Sequence, residues 1–357
     1  MIPLSIPSPP ADWQVLVKIP LGWLHGLIPA VSADAVVEVR TYAVCIIAGI
    51  IAAVLIANYR LTKRGAEPWI VIDIAVWAVV IAIIAARFYH VFTHPGDYFG
   101  EGKNVWNPFQ PGSIWAIWEG GNAIFGALIG GAVGVFIATR ITGLRFWSVV
   151  DAIAPGMFVA QALGRLGNYV NQELFGLPTN LPWGLQIDRP NAAIPVGLPE
   201  DTLFHPTFLY EMIWNLAGLV ILLLIEHAVR RDPATGAVRF ERRAEWQWGT
   251  VFGFYLFWYG LGRSWFESIR LDPSETFLGI RSNVWAALAA LVLGLIIIIV
   301  QRRNHVGAEP SVYRPGKEWS PDAAVDSQDT YSESDDPEDS EGHVTEAAAT
   351  SGSATGS

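Results

Sequence analysis

The sequence predicts an all-α integral membrane protein with seven transmembrane helices, its N-terminus outside and its C-terminus inside. Two observations carry this: seven long apolar runs, and basic residues that alternate between successive loops. A third is compositional. Of the 357 residues 52% are hydrophobic and only 16% charged, against roughly 25% charged in a typical soluble domain. The formal net charge is −10, and it is confined to one end. Residues 304–357 carry 12 acidic and 2 basic side chains, whereas residues 1–303 carry 21 of each. A body with no basic excess argues against nucleic-acid binding. A single cysteine, Cys45, rules out a disulfide scaffold.

The elements follow in order. The opening MIPLSIPSPP lacks the basic start and apolar core of a cleavable signal peptide. The stretch 19–30 is too short to span and is expected to form an interfacial helix, so residues 1–40 read as an external segment. Spans are expected over 41–59, 69–92, 114–138, 146–163, 206–229, 246–265 and 284–300, each close to the roughly 20 apolar residues a bilayer requires. All are apolar around the whole circumference, unlike the one-sided helix of a soluble protein. Cys45, inside the first span, reads as a small buried apolar residue. His90 and His94, four apart at the end of the second, have no acidic third ligand beside them and read as interfacial rather than metal-binding. Gly126, Gly130 and Gly134 form a close-packing face on the third.

Loop charges set the orientation. Arg60, Lys63 and Arg64 follow the first span; Arg140 and Arg145 follow the third. Arg230, Arg231, Arg239, Arg242 and Arg243 follow the fifth, and Arg302 and Arg303 the last. These loops are assigned to the cytoplasm. The 93–113, 164–205 and 266–283 loops then face outward, and 41–303 forms the membrane domain. The segment 304–357, with SESDDPEDSE, has the low hydrophobicity and high charge of a disordered cytoplasmic tail.

The informative residues break the loop rule. Arg87, Arg165, Arg263 and Arg270 sit at outward ends, near Glu173, Glu211 and Glu267 and near Asn168, Asn171 and Gln172. Ionisable groups at membrane depth are costly and mark candidate sites. An arginine fork matches phosphate oxygens, and an adjacent carboxylate orients it. In YGLGRSWFESIR (259–270), Tyr259, Arg263, Glu267 and Arg270 share one helical face. In GRLGNYVNQELFG (164–176), Arg165, Asn168 and Glu173 project from one compact polar stretch. The residues alone point to a phospholipid-phosphate site, either enzymatic or transporting.

Several blocks in order make the chain resemble a known family. They are IPSPP at 6–10, RTYA at 40–43, WEGGNAIFGALIGG at 118–131, DAIAPGMFVAQALGRLGNYVNQELFG at 151–176, HPTFLYE at 205–211 and YGLGRSWFESIR at 259–270. Over about residues 6–303 the sequence closely resembles prolipoprotein diacylglyceryl transferases, bacterial plasma-membrane enzymes. The resemblance implies transfer of the diacylglyceryl unit of phosphatidylglycerol to the lipobox cysteine thiol in a prolipoprotein signal peptide. A thioether forms and glycerol 1-phosphate leaves, at the outer face and without cofactor or metal. It further implies Arg165, Arg263, Tyr42 and Glu267 as catalytic positions. Arg165, Asn168, Glu173, Gly176, Tyr259 and Arg263 become the phosphatidylglycerol-binding set.

One departure stands out. Many members carry a histidine in GGxxxHG, where this chain has Phe125, which moves no proton. The expectation is then a thiol activated electrostatically by the arginine pair. His205 is one alternative base; Glu267 and Tyr259 are others, each better read as positioning Arg263. Two other functions compete: a phospholipid or anion transporter using the same arginines, and a scaffold whose acidic tail recruits a partner. No inverted repeat supports the transporter.

Overall fold

Long apolar helices frame the described residues: α1 (Thr41–Thr62), α2 (Ile70–Thr93), α4 (Ile124–Ile141), α5 (Phe146–Val170), α6 (Thr207–Glu226), α7 (Thr250–Ile269) and α8 (Ser282–Asn304), with a one-turn α3 (Pro95–Tyr98) after α2. The computed structural model describes residues 5–27, 32, 34–99, 106–107, 112–117, 120–231, 238–272, 274 and 276–320. Six of the long helices are apolar and long enough to cross a membrane. The other, α7, is as long as α6. It falls short in apolarity because it carries Tyr259, Arg263, Ser264, Glu267 and Ser268.

Small residues set the helix pairs. Gly49 and Gly156 bring α1 and α5 together antiparallel, against Ala160 and Ala53. Gly126, Gly130 and Gly134 lay α4 on Ala85, Ile81 and Ala78 of α2. A β-carbon at Gly126 would come 2.5 Å from the Ala85 carbonyl, so the glycine stripe is used within the chain. Gly253 and Gly260 of α7 meet Gly294 and Ala287 of α8. Between these pairs, Phe158 of α5, Leu222 of α6 and Val251, Phe254 and Tyr255 of α7 form a central apolar cluster.

Among the described residues, four two-stranded antiparallel ladders join or flank the helices: β1 (Val15–Pro20) with β2 (Val36–Arg40), β3 (Pro178–Thr179) with β4 (Leu203–Phe204), β5 (His227–Arg231) with β6 (Val238–Arg242), and β7 (Thr276–Phe277) with β8 (Ile280–Arg281). The expected interfacial helix at 19–30 is not seen. Its described part is the end of β1 and a 3-10 turn, Gly22–Gly26. The run Val15-Leu16-Val17 is β-branched or apolar at alternate positions and pairs with Val36–Arg40 instead. The third span also begins later than its apolar run. Residues 112–117 and 120–123 are non-helical. Their carbonyls bond Arg87, which donates to Ser113, Ile114, Gly120 and Gly121 at 2.6–3.1 Å. With its fork committed to backbone and lying 4.9 Å over the Tyr98 ring, Arg87 is a clamp rather than a member of the outward site.

At the opposite end, α7 begins without a local cap. Asp151 of α5 supplies one, accepting the Gly249 and Phe252 amides at 2.8 Å. Arg60 bonds Glu226 at 2.7 Å, both buried. The expected disorder from residue 304 is corrected for its first part. Val312 and Tyr313 are buried, the Tyr313 carbonyl accepts from Arg145 and its hydroxyl oxygen accepts from the Glu67 amide, and Glu309 pairs with Arg64 and accepts from Ser148. This docked stretch is charge-balanced, with Glu309 and Glu318 against Arg314 and Lys317, so nothing opposes its packing. Met1–Glu318 is one compact unit; of the other, Trp319–Ser357, the acidic run SESDDPEDSE lies outside the described residues.

Two outcomes follow. Removing residues 319–357 should leave the melting temperature of the purified protein unchanged, whereas Glu309→Ala should cost about 3 kcal/mol by stranding Arg64, read as a lowered melting temperature. In the connection between α5 and α6, Asp188 accepts from Ser8 at 2.6 Å and Gln172 at 2.8 Å, and these bonds hold its carboxyl below the ordinary value. A depressed folded pKa gives stability that is present above the unfolded value of about 3.9 and lost as pH falls through the folded one. Hydrogen exchange at the Asp188 amide should therefore accelerate only below about pH 4, and Asp188→Asn should remove that pH dependence.

Candidate active site

The polar residues singled out in the sequence converge because five helix ends meet there: the start of α1, the end of α5, the start of α6, the end of α7 and the start of α8. Two tryptophans fix α6 against α7. Trp214 and Trp258 stack at 4.4 Å, and each indole N–H donates to the other's carbonyl, at 3.1 and 2.9 Å. Gly262 and Gly218 leave room for the two rings. That clamp holds Glu211, one turn before Trp214, opposite Arg263.

The centre of the site is the Glu211 carboxylate. Its Oε2 lies 2.7 Å from Arg165 and 3.5 Å from Arg263. Glu211 is nearly buried at 6% side-chain exposure, and the arginines retain 19% and 16%. Arg165 also donates to Asn168 Oδ1 at 3.1 Å, and the Asn168 amide donates to Glu173 at 2.7 Å. Arg263 is held from its other side by Glu267 at 2.8 Å.

Glu267 is the anchor of a second layer. It is fully buried and receives Arg263, Arg270 at 3.1 Å, Arg281 at 3.0 Å and the Asn283 amide at 3.0 Å. Asp272 completes the layer by pairing with Arg270 at 2.7 Å and Arg281 at 3.2 Å. The β7–β8 hairpin returns Arg281 to this point. So many donors on one carboxylate compensate its desolvation, the condition a buried ion pair must meet.

Backbone contacts join the parts. Gly176 donates its amide to the His205 carbonyl at 2.9 Å and bridges Arg270. An added β-carbon there would meet His205 at 2.7 Å and the Ile269 carbonyl at 3.0 Å. Tyr42 packs its ring over Gly167, between Arg165 and Asn168 in the chain. Tyr259 stacks on Tyr255 at 6.1 Å and lies within electrostatic reach of both Arg165 and Arg263.

Of the residues expected from sequence, Arg165, Asn168, Glu173, Arg263 and Glu267 are joined by direct bonds. Tyr42, Gly176 and Tyr259 pack around them. The His205 imidazole points to another partner: its Nδ1 meets the Tyr210 hydroxyl at 3.2 Å, which in turn accepts from Trp183. Glu211 was expected beside the arginines but not among the catalytic or binding residues, and Asp272, Arg281 and Asn283 were not expected there. Arg281 had a signal of its own: it is a further arginine in a loop that the charge rule assigns outward, where basic residues are not expected.

Fold and site together define a polytopic membrane protein with a largely buried, arginine-rich polar cluster at one end of its helices. A family model described as prolipoprotein diacylglyceryl transferase matches residues 30–300. The chain is 56% identical over 356 residues to the phosphatidylglycerol–prolipoprotein diacylglyceryl transferase of Leifsonia xyli subsp. xyli, covering 98% of each. It is 40% identical to a second such enzyme, of Streptomyces coelicolor, over 76% of this chain and 79% of that one. Against that of Bifidobacterium longum the identity is 41%, over 73% and 80%. The chain belongs to the prolipoprotein diacylglyceryl transferase family.

Glu267→Gln should leave three guanidiniums around a neutral amide. We expect a loss of roughly 3–5 kcal/mol, measured by thermal unfolding in detergent, with Glu267→Asp closer to the parent.

Proposed function

We propose that this chain transfers the diacylglyceryl group of phosphatidylglycerol to the lipobox cysteine thiol of bacterial prolipoproteins, forming a thioether and releasing glycerol 1-phosphate. The observation that carries the proposal is the arginine pair, Arg165 and Arg263, sharing one oxygen of Glu211 in a member of this family. A carboxylate held by two forks occupies the kind of place a phosphate would take.

On this reading α7 is the seventh span, the N-terminus and the arginine site face outward across the plasma membrane, and the Arg60 and Arg302 ends face the cytoplasm. Arg165 and Arg263 bind the lipid phosphate, with Asn168 and Glu173 orienting Arg165 and Glu267 orienting Arg263. Tyr42 and Tyr259 flank the headgroup, and Gly176 keeps the α5 and α7 ends close enough for both arginines to reach one ligand.

The chemistry follows from the charges. The thiolate attacks an sp³ glyceryl carbon, and the broken C–O bond leaves its electron pair on phosphate. Guanidiniums on that phosphate stabilise charge that develops as the bond breaks. The acceptor is a thiol of ordinary pKa near 8.5, and a positive surround favours its thiolate. The two arginines thus serve both partners, and Phe125 and His205 are given no proton to move. His205, bonded to Tyr210, anchors the start of α6.

The test uses purified protein, phosphatidylglycerol and a lipobox peptide, with the peptide product weighed by mass spectrometry. Thioether product is expected; its absence where a related transferase is active overturns the reading. Arg165→Ala should lower turnover by at least about 10²–10³-fold while the protein stays folded. His205→Gln should stay within a few-fold of the parent, because removing a true general base costs about 10²–10⁴-fold.

A further inference from the structure

The arginine site carries a charge balance that bears on how its product leaves. Four guanidiniums, of Arg165, Arg263, Arg270 and Arg281, directly face three carboxylates, of Glu211, Glu267 and Asp272. Glu173 touches this lattice only through the Asn168 amide. Tyr259 also lies within electrostatic reach of both front arginines. Glu267 and Asp272 are engaged by Arg270 and Arg281. That leaves Glu211 as the one carboxylate shared by the two front arginines. Its contact with Arg263, at 3.5 Å, is loose. Only Oε2 takes part in these bonds.

The proposed reaction changes the charge of what those arginines hold. The phosphodiester substrate is a monoanion. Thiolate forms the C–S bond, the C–O bond breaks with its electron pair going to the phosphate oxygen, and the thiol proton passes to solvent. One phosphodiester charge and one thiolate charge become two charges on a phosphate monoester, whose second pKa is about 6. Two arginines with Glu211 between them have a net charge of one, which matches the monoanion. Against the dianion the same set is over-neutralised, and Glu211 faces it as a like charge.

Resting on the transferase reading above, we propose that Glu211 is a charge-setting positioning residue. It holds the Arg165 and Arg263 forks ready when no lipid is bound, and it weakens the grip on dianionic glycerol phosphate so that product leaves after transfer. It acts through the arginines and takes no proton.

The experiment measures the KM for phosphatidylglycerol and the Ki for glycerol 1-phosphate on the full chain. Glu211→Gln should tighten the Ki by about tenfold or more while shifting KM much less, and Glu211→Asp should restore the parent ratio. Equal shifts in both constants, or an unmoved Ki, overturn the proposal. A second arm needs no variant. In the parent protein at pH 8, the methyl ester of glycerol 1-phosphate, a fixed monoanion, should inhibit more tightly than glycerol 1-phosphate itself. Equal or weaker inhibition overturns the proposal even if Glu211→Gln fails to fold. Absence of thioether from the parent protein would instead defeat the transferase reading, so the two failures are distinct.

Discussion

The arginine-bearing end of this protein depends on one constraint: a buried carboxylate must be surrounded by donors. Glu267 sits fully buried at the end of α7 and is met by three arginines and an asparagine amide. Those donors come from α7, from the β7–β8 hairpin and from the start of α8. The carboxylate therefore fixes where each of those elements ends. Arg263 is oriented as a by-product, and with it the reach toward Glu211 and Arg165. Loss of any one donor would leave charge uncompensated at a depth where water is scarce.

The same logic operates at the other end with different parts. Asp151 caps α7 from a neighbouring helix, Arg60 pairs with Glu226, and Glu309 reaches back from beyond α8 to Arg64. Between the two polar ends the chain uses small residues, so that helices approach closely where water offers no driving force. The stacked Trp214–Trp258 pair belongs to both regimes. It packs as an apolar surface and satisfies its own N–H groups, and it sets the separation across which Glu211 faces Arg263.

Much of this was legible in the sequence, for physical reasons. Apolar runs locate helices because lipid-exposed backbone must bond within its own segment, and all seven expected runs contain a long helix. Arg263 and Glu267 were readable as partners because four residues make one helical turn. Boundaries were harder. The run 114–138 is apolar throughout, but Gly120 and Gly121 take left-handed backbone, with φ of 91° and 69°, and Arg87 satisfies the carbonyls that a helix would otherwise use. The 304–357 segment averaged a balanced, docked stretch with an acidic one, and the average hid the first. Glu211 and Arg281 were visible as residues, but their partners lie 46 and 14 positions away, and no local period reports such pairings.

The central claim is that the space between Arg165 and Arg263 is a phosphate site that Glu211 fills in the absence of lipid. The most direct measurement is an experimental structure of the chain with phosphatidylglycerol bound. The account predicts the lipid phosphate within hydrogen-bond distance of both guanidiniums, with the Glu211 carboxylate moved off Arg263 and the Glu267 lattice unchanged. A phosphate bound elsewhere, with Glu211 still bridging the two arginines, would contradict it.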